Sequence, residues 1–182
     1  MGLFGLLELV PIFLGVFAGL SAMIPAVVYL SAAWRNRQDG RVDPKLGLVS
    51  VYGFFANLGF TMVTLSVTGI LVILFEGVSR GEVLKVPIAL FISGAVIFAV
   101  TFFPLRAAIG PEGSRAARFY VGLTAFSATL LTAIAFTGLI VVLFNEGRVS
   151  IPIAVLITQA PVAVLGALLL ARTSASSTSS AD

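Results

Sequence analysis

The amino-acid sequence predicts an all-α integral membrane protein with five transmembrane helices, arranged as one leading helix followed by a parallel duplicated two-helix hairpin. Three observations carry this expectation. Only 10% of the 182 residues are charged and 59% are hydrophobic, whereas a soluble domain carries about 25% charged residues. The apolar residues fall into five runs: Leu3 to Trp34, Leu46 to Phe75, Val86 to Leu105, Phe119 to Phe144 and Val149 to Ala171. Each is long enough to cross a bilayer, which takes roughly 20 residues. Finally, TGILVILFEG from Thr68 to Gly77 returns as TGLIVVLFNEG from Thr137 to Gly147.

The first helix is expected over about Val10 to Trp34. The segment MGLFGLLEL lacks the basic start of a signal peptide, and the apolar run is too long for its core, so it reads as a retained helix. Glu8, ahead of Pro11, is placed at the outer edge, within reach of water. Gly15 and Gly19 form a GxxxG pair, with Ala18 and Ala22 beside it, which permits close helix contact and makes this helix a candidate oligomer contact. The second and third helices are expected over about Gly47 to Phe75 and Val86 to Arg106. The fourth and fifth are expected over about Ala117 to Phe144 and Ile151 to Arg172. Residues 1–172 thus form a single transmembrane domain. The tail TSASSTSSAD, 173–182, has almost nothing to bury and is expected to be disordered.

The repeat covers both hairpins. Aligning Thr68 with Thr137 matches Gly69 with Gly138, Val72 with Val141, Leu74 with Leu143 and Phe75 with Phe144. Further back, Gly53 meets Gly122 and Ala56 meets Ala125. After a shorter second loop, VPIALFIS meets IPIAVLIT, so Pro87 meets Pro152. Each proline is expected in the first turn of its helix, where its missing N–H costs nothing. Val10, Pro11 and Ile12 repeat the same phrase in the first helix. Two copies of two helices share one orientation, unlike the inverted pair of many transporters.

Orientation follows from the loops. Arg35, Arg37, Arg41, Lys45, Arg106, Arg115, Arg118 and Arg172 fall on one side, and Arg80, Lys85 and Arg148 on the other. The positive-inside rule puts the N-terminus outside and the C-terminus in the cytoplasm of a cell (inner) membrane. Tyr29, Trp34, Tyr52 and Tyr120 all lie towards the cytoplasmic ends, as an aromatic belt would. Of the outer carboxylates, Glu76, Glu82 and Glu146, the last is a candidate partner for Arg148.

The most specific polar feature is a stripe on the second helix. Ser50, Gly53, Asn57, Thr61, Thr64 and Thr68 are three or four residues apart and share one face. Small and hydroxylated side chains let helices approach and hydrogen-bond in lipid. The alternative is a face lining a polar path, with Asn57 as its most polar point. The matching positions of the fourth helix are Phe119, Gly122, Phe126, Leu130, Ala133 and Thr137, so the stripe is not duplicated. The fourth helix has its own hydroxyls at Thr124, Ser127, Thr129 and Thr132, each able to bond its own backbone. Gln159 lies inside the fifth helix in place of Gly94, and needs partners that Asn57 or a threonine of the second helix is placed to supply. Pro161, Pro25 and Pro104 are expected to bend their helices.

The chain has no cysteine and no histidine. Thiolate metal sites and disulfides are therefore excluded, and the commonest general base is missing. No carboxylate sits near the midplane, as a proton-coupled transporter would need. No cofactor or metal is expected, and no basic cluster interleaved with aromatics points to nucleic acid. The expected function is a non-catalytic scaffold or accessory subunit. The alternative is an oligomeric channel or carrier for a small neutral solute or ion, lined by the stripe. The bilayer is the expected partner, together with further copies of the chain or a larger membrane-protein complex.

Overall fold

A computed structural model describes residues 23–40, 44–77, 81–109, 115–145 and 148–178, of which 81–82, 115 and 172–178 by backbone alone. All the regular structure in these residues is helical. Helix α1 covers 23–38. It is followed by α2 (Leu46–Phe75), α3 (Gly81–Ala108), α4 (Arg115–Phe144) and α5 (Ser150–Thr178).

Four of these helices are long and apolar enough to span a membrane: Leu46–Phe75, Val83–Ala108, Ala116–Phe144 and Ser150–Ala171. The described part of α1 falls short of a span. Residues 10–22 of the expected first span lie outside the described residues, as do Glu8, Gly15 and Gly19. Helix α1 runs on past Trp34 to residue 38 and carries Arg35 and Arg37 with it. The apolar span of α5 ends at Ala171, but its helix continues to Thr178, into the segment expected to be disordered.

The prolines divide. Pro152 stands in the first turn of α5, as expected. Pro87 does not: α3 begins at Gly81, so Pro87 lies inside the helix. The reason is the preceding GEVLK, whose Glu, Leu and Lys are good helix formers and extend α3 outwards from the apolar run. The repeat nonetheless recurs in space. The ring of Pro87 packs over Gly69, 3.6 Å from its Cβ position, and that of Pro152 packs over Gly138 at 3.9 Å.

Below this shared contact the two hairpins pack differently. In α2–α3 the backbones meet at Gly59 and Gly94. A Cβ on Gly59 would lie 2.6 Å from the Phe98 amide nitrogen, and one on Gly94 would lie 2.9 Å from the Gly59 carbonyl oxygen. The equivalents in α4–α5 are Ala128 and Gln159, too large for that approach, and the close contact moves to Gly166 against Ala125. Ser66, 1% exposed, ties α2 to α3 by donating to the Pro87 carbonyl at 2.5 Å. Phe98 stacks on Phe102 with centroids 5.1 Å apart.

Helix α2 is the hub. It packs along α3 and also meets α4 and α5, which pack along each other; α3 packs along neither α4 nor α5 among the described residues. At the end bearing Arg35, Lys45 and Arg106, a core of Val28, Ala32, Leu46, Val49, Ala108, Ala116 and Tyr120 joins α1, α2, α3 and α4. At the other end, α2 closes with Gly77 at φ 65°, the left-handed glycine stop of a helix. There Glu76 accepts a hydrogen bond from Ser150 Oγ at 3.0 Å and lies 3.9 Å from the Arg148 guanidinium. The candidate Glu146–Arg148 pair cannot be placed beside it, since Glu146 lies outside the described residues.

Candidate functional site

The stripe on α2 is built by helical spacing, and the neighbouring helices give its members different surroundings. Ser50 is 1% exposed. Gly53 takes the ring of Tyr120 directly against its backbone, so close that a Cβ would lie 2.5 Å from Tyr120 Cδ2. Tyr120 itself is 5% exposed. It is therefore a core residue of the α2–α4 contact and no member of an aromatic belt. Trp34, near the end of α1, is 63% exposed.

One turn further along, the Asn57 amide donates to Thr124 Oγ1 and to the Tyr120 carbonyl at 3.5 Å. Thr124 passes its own proton to the same carbonyl, at 2.9 Å. An amide and a hydroxyl thus converge on one carbonyl of α4, and the Asn57 donors are used. Thr61 and Thr64 donate to the carbonyls of Asn57 and Thr61 on their own helix, both at 2.9 Å. Thr61 is exposed and Thr64 partly so.

At the far end, Thr68 meets Thr158 of α5 with 2.7 Å between hydroxyl oxygens. Each hydroxyl also lies within hydrogen-bond range of its own helix, Thr68 of the Thr64 carbonyl at 2.8 Å and Thr158 of the Ala154 carbonyl at 3.0 Å. Thr158 is also 3.2 Å from the Val155 carbonyl, so two protons face four contacts and either hydroxyl can donate in the bond between the helices. Gln159 is 5% exposed. The expected link to the α2 stripe is made by its neighbour Thr158 instead. Asn57 is committed to α4, about 16 Å from Thr68 along the helix at 1.5 Å per residue.

The structure thus brings Gly53 and Asn57 against α4 and Thr68 against α5, buries Ser50 near the start of α2, and leaves Thr61 and Thr64 between the two contacts. Sequence reading missed the partners, Thr124, Tyr120 and Thr158. A signal for two of them exists: Tyr120 and Thr124 are four apart and so share one face of α4. The missing duplication also has a physical cause. The face of α4 matching the stripe looks outwards, with Phe119, Phe126 and Leu130 at 48%, 68% and 51% exposure. Only the hub helix has a partner on that face.

Among the described residues, two buried hydroxyls have no partner, those of Ser50 and Tyr120. Among the described residues no three His, Cys, Asp or Glu side chains come together as a metal site would require.

Four spanning helices with a polar seam between them define a multi-pass helical membrane protein. Compared with known proteins, the chain matches no family model, no curated protein and no solved structure.

Proposed function

We propose that this is a non-catalytic polytopic protein of the cell (inner) membrane, acting as a helical scaffold or accessory subunit of a membrane assembly. Residues 10–34 form its fifth span, with the N-terminus outside and the C-terminus in the cytoplasm. The observation that carries the reading is how the α2 stripe uses its polar groups. Asn57 and Thr68 bond neighbouring helices, and Thr61 and Thr64 bond their own backbone. These are the bonds of helix packing in lipid. Outside the seam the helices present broad apolar faces, including Phe103, Phe126, Phe136 and Leu165, to lipid or to partner helices.

Gentle extraction in detergent or native nanodiscs, followed by mass analysis, tests this. Defined subunits that co-purify in fixed proportion support the scaffold. A chain that emerges only as an unaccompanied monomer overturns it.

One observation favours a second reading, an oligomeric channel or carrier lined by this face: Thr61 stays exposed at mid-helix beside Asn57. In reconstituted liposomes that reading expects solute or ion flux, altered by Asn57→Leu with Thr61→Val. Flux no greater than that of empty liposomes across a solute panel removes it.

A further inference from the structure

A groove of about 570 Å³ runs between α1 and α2, lined by Pro25, Ala26, Tyr29, Gly47, Ser50, Val51, Phe54 and Phe55. Its volume falls within the roughly 300–1,000 Å³ of small-molecule sites. The lining is almost wholly apolar, and its rim residues Tyr29, Val51 and Phe55 are 43%, 48% and 43% exposed. Because Leu46–Phe75 is a span, the groove opens sideways into hydrocarbon, where water does not compete.

Two lining residues carry hydroxyls, Tyr29 at the rim and Ser50 in the wall. Ser50 stands in the groove wall, 1% exposed, with its hydroxyl unpartnered. This departs from the habit of its own helix, because Thr61, Thr64 and Thr68 all donate to carbonyls three or four residues back. A buried hydroxyl in hydrocarbon calls for an acceptor. The groove ends towards the turn between α1 and α2, the end at which Tyr29 meets Gly47. At that end Arg35 and Arg37, on the last turn of α1, and Lys45 outnumber Asp39 among the described residues. Trp34, exposed at the same end, marks headgroup depth.

Apolar slot, unpartnered donor and basic mouth follow one another in the order of acyl chain, ester and phosphate. We propose that the α1–α2 groove binds an anionic glycerophospholipid from the leaflet on the Arg35–Lys45 side. One acyl chain lies along Val51, Phe54 and Phe55, and its ester carbonyl accepts a hydrogen bond from Ser50. Because the Ser50 hydroxyl is buried, the carbonyl reaches it only as the groove opens further. The headgroup faces Arg35, Arg37 and Lys45, since clustered Lys and Arg next to a span attract anionic lipid. This does not depend on the scaffold reading.

The test is native mass analysis of the full chain in mild detergent, titrated with phosphatidylglycerol and, separately, phosphatidylcholine. Wild type is expected to retain phosphatidylglycerol preferentially. Val51→Trp fills the groove from an exposed position and is expected to lower retention about tenfold, as the acyl contact is lost. Ser50→Ala removes one hydrogen bond and is expected to lower it about fivefold. Val164→Trp, at an exposed site on α5, keeps wild-type retention, and circular dichroism confirms that each variant is folded. Equal retention of the two lipids by wild type overturns the proposal, as does a folded Val51→Trp that binds like wild type.

Discussion

At the residue scale, the polar atoms of the α2–α4 seam are unequal. Asn57 and Thr124 satisfy each other through the Tyr120 carbonyl, whereas the Tyr120 hydroxyl is buried with no partner. Asn57→Ala and Thr124→Val are therefore expected to couple. Interhelical hydrogen bonds in membranes are worth about 0.6 kcal/mol and at most about 1.7 kcal/mol. A double-mutant cycle on detergent-induced unfolding checks this, and additive single effects contradict it. Tyr120→Phe should behave oppositely and raise stability by about 1 kcal/mol, because it removes a buried group that bonds nothing. The same unfolding assay decides. Asn57 was legible in the sequence as the most polar point of a regular face. Thr124 was not, because a threonine in a helix usually bonds its own backbone, and nothing in one sequence says when it also receives a bond from elsewhere.

At the scale of the element, the hairpins show how a duplicated sequence gives similar turns and different interiors. Gly69 and Pro87, like Gly138 and Pro152, keep one contact because both partners are retained. The inner crossing moved when Gly94 became Gln159, since an amide side chain cannot fit where two backbones touch. Gly59→Ala is accordingly expected to force α2 and α3 apart at a cost of about 1–3 kcal/mol, because the new carbon would meet backbone that cannot rotate away. Gly122→Ala, with nothing within 4 Å of its Cβ position, should change stability by less than about 0.5 kcal/mol. Thermal unfolding of the two variants in one detergent makes the comparison; equal losses would contradict the assigned crossing. Helix existence and the repeat were readable from runs of apolar residues and from matched turns. The start of α3 was not, because the extension GEVLK is helical by local propensity and lies outside the apolar run that marked the span.

For the whole molecule, the turns at Glu76 and Arg148 meet at one end, and the core around Leu46, Ala108 and Ala116 closes the other. Since the chain lacks cysteine, single substitutions report sidedness cleanly. Arg37→Cys and Arg148→Cys are expected to react with an impermeant maleimide from opposite faces of the membrane, Arg148→Cys from outside. Labelling from one face contradicts the three crossings α2, α3 and α4 that separate the two positions, and the reverse sidedness contradicts the proposed orientation alone. The hub role of α2 was beyond sequence reading. Two similar hairpins offer two similar candidates for the centre, and only tertiary packing chooses between them. The unduplicated stripe was the one visible trace of that choice.

The confinement of α3 to α2 bears on how the chain is made. During synthesis α2 and α3 emerge before α4, and apart from the core that its Ala108 end shares with α4, the helix that α3 packs along is already present when it enters the bilayer. The first hairpin can therefore zip shut on the ribosome by neighbouring contacts, the quickest kind to form. The rest of α2, with Asn57 and Thr68 still waiting, then serves as the template on which the later pair is registered.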